Sequence, residues 1–146
     1  MASGFSSFLN NKVLDFVFSG TQTVVPTKYW ALFKSDAGLV DNDTSKWVEV
    51  TGTGYARVQA DNVSFSTASA SSVTNVLEVQ FPVAESDWGV ITHVGIMDAA
   101  TGGNCLAYAQ FMDATGATPR PKTVYTADQM VIRARGSNFT LYATTA

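Results

Sequence analysis

The sequence is poor in the side chains that many enzymes and metal proteins depend on. It contains one histidine, His93, and one cysteine, Cys105. Dedicated zinc sites draw on several such residues, so no metal site is predicted, and a single cysteine excludes a disulfide within the chain. No nucleophile motif such as G-x-S-x-G accompanies the histidine. We therefore predict no catalytic residue, no cofactor and no enzyme activity. We expect His93 at the rim of the core and Cys105 as a buried apolar residue.

Charge and long apolar runs are scarce as well. Charged residues make up 14% of the chain, and 9 basic against 12 acidic residues give a net charge of −3. This balance argues against a broad nucleic-acid-binding face, which needs clustered positive charge. No apolar run approaches the roughly 20 residues of a membrane-spanning helix. Asn10, Lys12 and Asp15 interrupt the first apolar residues. We therefore expect no signal peptide, cytoplasmic synthesis and no membrane partner.

The strongest local pattern is an amphipathic helix over residues 3–18. Ser3 is its candidate N-cap, and Gly20 follows a candidate end at Phe18 or Ser19. Its apolar face comprises Phe5, Phe8, Leu9, Val13, Phe16 and Val17. Because so short a helix is marginal alone in water, this face should lie on a sheet or on a neighbouring subunit. Four of these residues are therefore candidate interaction residues: Phe5, Phe8, Leu9 and Phe16.

After Pro26 the apolar residues alternate, as in β-strands. Residues 28–33 are apolar on both faces, which predicts a central strand covered on both sides. Further strands are predicted at 47–50, 76–83, 89–97, 105–111, 122–126, 129–135 and 138–144, and another starts at 55–58. The stretch 61–75 should contain an edge strand around Val63 and Phe65, followed by an exposed loop near 66–72. Residues 34–46 should form a polar loop. Residues 98–104 should turn a hairpin, and the last two strands should form another around Gly136-Ser137.

About eight short strands separated by turn signals indicate an antiparallel β-sandwich or barrel-like domain. The predicted fold is thus all-β with one N-terminal amphipathic helix. We expect a single domain over residues 1–146, with the helix in 1–20 and the β-sandwich in 26–146.

Three other features invite a functional interpretation. Residues 41–44 (DNDT) resemble the start of a calcium loop, but Lys46 and Gly52 occupy positions where Gly and Glu are required, so a solvated turn is favoured. The three tryptophans suit core and interface anchors better than a sugar groove. Arg133 and Arg135, with Arg120 and Lys122 nearby in the chain, predict a basic patch. We favour an exposed sheet face, or pairing of these arginines with acidic residues of a neighbouring subunit, over nucleic-acid binding, and count Arg133 and Arg135 as candidate interaction residues.

Several segments resemble a family of small bacteriophage tail-fibre or minor virion structural proteins. The resemblance lies in residues 29–33 (YWALF), 47–52 (WVEVTG), 54–57 (GYAR), 79–84 (VQFPVA), 88–96 (WGVITHVGI) and 98–104 (DAATGGN). The last two segments are the most specific. The loop at 35–46 departs from the family pattern, Met97 replaces a common Phe, and the chain from Asp113 onward matches weakly.

The resemblance implies a structural protein of a phage virion, made in the cytoplasm of a bacterial host. It would act by self-association and by docking on other virion proteins, as a tail-fibre, collar or similar tail-associated subunit. A homo-oligomer is expected, with a trimer favoured, although ring symmetry around a tail is equally physical. Two alternatives remain: a capsid decoration protein that cements shell subunits, and a receptor- or glycan-binding module of the tail.

Overall fold

The computed structural model describes residues 3–22, 26–61, 64–70, 72–113, 115–134 and 138–140. One helix, α1 (Ser7–Phe18), accompanies a set of antiparallel strands. These are β1 (Ser3–Phe5), β2 (Lys28–Phe33), β3 (Val58–Ala60), β4 (Ser72–Thr74), β5 (Val79–Val83), β6 (Gly89–Ile91), β7 (His93–Met97), β8 (Cys105–Gln110), β9 (Lys122–Val124), β10 (Gln129–Ile132) and β11 (Asn138–Thr140). The prediction of an all-β antiparallel fold with one N-terminal helix is confirmed, although the strands are shorter and more numerous than predicted.

The main sheet has the strand order β1-β8-β7-β2-β3. Strand β2 pairs with β7 over its last five residues and with β3 at its start. Ala31, Leu32 and Phe33 are fully buried, because both faces of this apolar strand are covered. The prediction of a central strand buried on both sides is confirmed. The β7–β8 hairpin at residues 98–104 is also confirmed, with Gly102 and Gly103 at positive φ.

The main core lies on one face of this sheet. Trp30 and Leu32 of β2 belong to the same hydrophobic cluster as Phe81 of β5, Ile91 of β6 and Met130 of β10. These last strands form two separate ladders, β5–β10 and β6–β9. A third ladder joins β4 to β11. The core is therefore built between the five-stranded sheet and the split layer of β5, β10, β9 and β6.

The other face of the sheet is covered by residues 34–48. Leu39 is fully buried there, and Trp47 packs edge-on against Phe33 with ring centroids 6.0 Å apart. The expectation of a purely polar loop was wrong, because this segment supplies the lid of a second, smaller hydrophobic cluster. Asp43 caps a short 3-10 turn at Thr44–Lys46, so the acidic segment is a structured turn.

The helix begins four residues later than predicted. Ser3–Phe5 pairs with β8, and Ser6 is the N-cap in place of Ser3. The Ser6 hydroxyl accepts a hydrogen bond from the Leu9 N–H at 3.3 Å and donates one to the Cys105 carbonyl. The free edge of β8 satisfies the backbone of the first residues, so they extend and do not coil.

The predicted C-terminal hairpin was also wrong. Strand β10 pairs with β5 and β11 pairs with β4, so consecutive strands enter different ladders. Alternation identifies which residues face inward but not which strand lies alongside, and Met130 and Ile132 are indeed buried. Arg135, Gly136 and Ser137 lie outside the described residues, as does the chain beyond residue 140.

Two more predicted strands differ in detail. The run at 89–97 breaks at Thr92, so β6 belongs to a ladder with β9 while β7 enters the main sheet. Ile91 of β6 is fully buried, and Val90 beside it is half exposed. Residues 47–50 contribute only an isolated bridge between Glu49 and Phe33. Residues 55–58 reach the sheet only at their end, where β3 starts.

Candidate interaction surfaces

The segments that carry the phage resemblance meet in a buried polar network around Arg57. The Arg57 side chain is 3% exposed, and its Nε and Nη2 atoms each donate to one oxygen of Glu49 at 2.7 Å. Its Nη1 donates to the carbonyls of Ala99 at 2.7 Å and Gly102 at 2.9 Å. Planar guanidinium groups suit such multiple fixed acceptors. Arg57 therefore ties residue 49 to the hairpin loop at 98–104.

Tyr55 completes this network. Its hydroxyl donates to Glu49 at 2.7 Å and accepts the Leu32 N–H of the central strand at 3.0 Å. Burial raises the pKa of Tyr55, and the negative charge of Glu49 raises it further. Burial lowers the pKa of Arg57, but the hydrogen bonds and charge of Glu49 outweigh it and raise the value. The phenol therefore stays neutral and the guanidinium stays charged. The cluster is a structural network that links the central strand, residue 49 and the loop at 98–104.

A second junction joins the same segments at Trp88. The indole Nε1 donates to the Thr53 carbonyl at 3.1 Å, and its ring lies edge-on to Tyr55 at 5.5 Å. A Cβ atom added at Gly52 would overlap the Trp88 ring. Sequence reasoning did not single out Arg57, Glu49 or Gly52. The available signal was the motif EV-x-G-x-GYAR at residues 49–57, but this motif does not reveal what the arginine contacts.

The lone histidine and cysteine are both buried. The His93 Nδ1 lies 2.7 Å from the Thr92 hydroxyl, and burial lowers the pKa of the imidazole although Asp36 opposes this shift. Burial raises the pKa of the Cys105 thiol to about 12. Both groups are therefore neutral near pH 7. Within the described ranges, no group of three or more His, Cys, Asp or Glu is placed to hold a metal ion.

The candidate residues of the helix divide into two sets. Phe8 and Leu9, with Phe5 of β1, are half-buried and pack against the main core. Phe16 is 54% exposed, so the predicted apolar stripe is covered only along its first half. Lys12 lies over the Phe8 ring, with its Nζ 5.6 Å from the ring centroid. The second half of α1 presents further apolar side chains to solvent: Val13, Leu14, Val17 and Phe18.

The predicted basic patch coincides with a surface hollow. Arg120, Lys122 and Arg133 line a hollow of about 820 Å³ that also contains Phe111 and Met130. Arg135 lies outside the described residues. The hollow opens between β9 and β10, which follow each other in the chain but belong to different ladders. The structure thus brings together three of the four predicted basic residues around a partly apolar depression, which we call the basic hollow.

The tryptophans offer little surface for a sugar. Trp30 and Trp88 are each 1% exposed. Trp47 is half-buried, and its Nε1 donates to the Gly38 carbonyl at 3.0 Å. All three lie in or against the hydrophobic core, which agrees with their predicted role as core anchors.

Comparison with known proteins identifies one family. The family model described as podophage GP4 fiber I protein gp80 matches residues 4–140. A search of curated proteins finds no significant match. In the part of the chain that the structure describes, α1 is too short to traverse a bilayer, and no other helix qualifies as a membrane span.

Proposed function

The chain belongs to the podophage GP4 fiber I protein gp80 family, and on this basis we propose that it is a tail-fibre subunit that self-associates and docks on other virion proteins. The observation that carries this proposal is the extent of the match. Residues 4–140 include α1, nearly all of β1 and every later strand of the fold. The likeness to a phage tail-associated structural protein therefore covers the helix α1 together with the strands β1–β11, which we call the β-body.

The surface chemistry supports assembly as the mode of action. The second half of α1 exposes five large apolar side chains in succession along six residues, from Val13 to Phe18. Such an exposed patch marks an interaction site in a folded protein. The two residues with the most catalytic potential, His93 and Cys105, are buried and neutral. The accessible chemistry is thus that of a binding surface.

We further propose that the protein is homo-oligomeric and that its place is on the virion. Fibres and their attachment points are built from repeated copies. Homo-oligomers usually have closed cyclic symmetry, and a trimer is the closed ring that we favour. The candidate contact residues are Phe5, Phe8, Leu9, Phe16 and Arg133, with Arg135 outside the described residues. The first three also contribute to the core of their own chain.

A particle reconstruction tests the proposed position. Virions of the phage that encodes this chain would be imaged by cryo-electron microscopy, and the β-body would be fitted into the averaged density. A matched control is a virion in which the gene is deleted and supplied in trans with a fused fluorescent protein, whose extra density marks each copy. We expect the marker on the tail or its fibres. A marker spread over the capsid shell would overturn the proposal in favour of a decoration protein.

A further inference from the structure

We propose that the exposed second half of α1 from one copy packs into the basic hollow of a second copy, so that copies join head to tail. This inference rests on the proposed function in one respect, since it specifies how the self-association takes place. It joins the two surfaces that the fold leaves incomplete: an apolar helix end, and a gap between β9 and β10.

The shape of the apolar surface favours a concave partner. Each helical residue advances by about 100°, so Val13, Leu14, Phe16, Val17 and Phe18 cover about 200° of the helix circumference. They are 43–80% exposed, so the described part of their own chain leaves them largely uncovered. A flat helix–helix contact buries one stripe of a helix, whereas an apolar arc this wide is typical of a helix enclosed on several sides. A depression fits this arc better than a plane does.

The basic hollow has suitable dimensions and lining. Its volume of about 820 Å³ lies within the range of ligand-binding clefts. Met130 and Ile132 are buried residues at its wall, and half-buried Phe111 adds aromatic surface. In the described part of the chain, β9 pairs only with β6 and β10 only with β5. The hollow therefore occupies a break in the layer that these strands form, where the half-buried Phe111 and Met112 and the exposed Val131 offer apolar surface to an inserted segment.

Charge sets the polarity of the contact. The exposed half of α1 carries one charged side chain, Asp15, and its last turn has no basic residue. Asp15 lies in the remaining part of the circumference, about 160° wide and opposite the apolar arc, so it would stand at the open side of the hollow; the carbonyl end of the helix adds a partial negative charge. The hollow offers three cations, Arg120, Lys122 and Arg133, against one carboxylate, Asp113. The helix end of one copy and the hollow of another are therefore complementary in sign.

The symmetry of such a contact is defined. Helix and hollow are different surfaces of one chain, so the contact is heterologous, and it closes into a ring when the rotation between copies allows. A closed ring, such as the proposed trimer, would occupy every helix end and every hollow without any surface that pairs with itself.

A mixing experiment distinguishes this interface from the alternatives. Phe16→Asp disables the helix end, and Arg133→Glu disables the hollow. Each variant alone should be monomeric, with self-association at least tenfold weaker than in the native chain. Mixed one to one, they should form a dimer and nothing larger, because the intact hollow of the first accepts the intact helix of the second. Sedimentation velocity with two fluorescent labels measures both the mass and the composition of the complex.

Two control variants make the result interpretable. Val90→Asp places a charge at an equally exposed apolar site on β6, and Lys34→Glu reverses an exposed charge away from the hollow. Both should oligomerise as the native chain does, and all four variants should keep the native melting temperature within a few degrees. A mixture that stays monomeric while the native chain is oligomeric overturns the head-to-tail contact but leaves the proposed function intact. Variants that still oligomerise alone, or a native chain that is monomeric at every concentration, also overturn the inference. The proposed function is judged separately by the position of the protein on the particle.

Discussion

Replacing Arg57 by methionine tests whether the buried network holds the β-body together. The substitution keeps much of the apolar stem and removes the guanidinium. Four hydrogen bonds are lost, two to Glu49 and one each to the carbonyls of Ala99 and Gly102. Glu49 would remain charged beside an apolar group, and the loop at 98–104 would lose its tie to residue 49.

The size of the effect follows from the burial of the two partners. Removing one member of a buried ion pair costs about 3–5 kcal/mol of unfolding free energy. The Glu49 side chain is 22% exposed, so water can hydrate part of the stranded carboxylate, and we expect the lower end, about 3 kcal/mol. For a chain of this size, each kcal/mol lowers the melting temperature by about 2–4 °C. The expected drop is therefore about 6–12 °C.

Calorimetry on purified variants measures this drop. The matched control is Lys46→Met, which breaks the exposed ion pair of Lys46 with Asp43 and should change the melting temperature very little. A double variant, Glu49→Met with Arg57→Met, removes both charges and should recover part of the loss. If Arg57→Met melts together with the Lys46→Met control, the network does not stabilise the fold and the reasoning fails.

Two further predictions concern single positions. Gly103→Ala should lower the melting temperature more than Gly116→Ala. Both glycines have nearly the same positive φ, 72° and 73°, but only at Gly103 would the new Cβ overlap Asp98 and Ala99. Equal drops in melting temperature would mean that backbone strain at positive φ, and not the overlap, causes the whole destabilisation. Burial lowers the pKa of His93 in the folded chain, so its neutral form stabilises the fold fully above pH 6.5 and loses this effect as the pH falls through the lowered pKa. Between pH 7.5 and pH 5 the melting temperature should therefore fall more steeply for the native chain than for His93→Gln. An equal pH dependence in the two proteins would contradict the assignment.

The sequence predicted the features that depend on local pattern. The apolar run of β2 predicted a strand buried on both faces, and the glycines at 102–103 predicted a hairpin turn. Both predictions depend only on a few adjacent residues. The choice of strand partner is not local. Residues 129–132 alternate correctly for pairing with either β5 or β11, and only the packing of the whole core selects β5.

The candidate surfaces were predicted in part for the same reason. Helical spacing placed Phe8 and Phe16 on one apolar face. It could not show that α1 packs against the core at Phe8, which is half-buried, but not at Phe16, which is exposed. The basic residues are separated by up to 13 positions, and the gap between β9 and β10 brings Arg120 and Arg133 to one hollow. Arg57 was missed because an arginine within an alternating segment usually faces solvent, and two of its four acceptors come from a loop more than 40 positions away.

The position of α1 connects the rigid network to assembly. A 12-residue helix is marginal without tertiary contacts, and this one is secured at its start, through the Ser6 cap and the packing of Phe8 and Leu9. Its remaining turns gain little from the described part of their own chain, because their apolar side chains are exposed. A neighbour that buries these side chains would therefore stabilise the helix end and the contact at the same time. The buried network around Arg57 links strands of the main sheet to the loop at 98–104, so each copy would present its helix and its hollow in the same relative orientation, as the proposed ring requires.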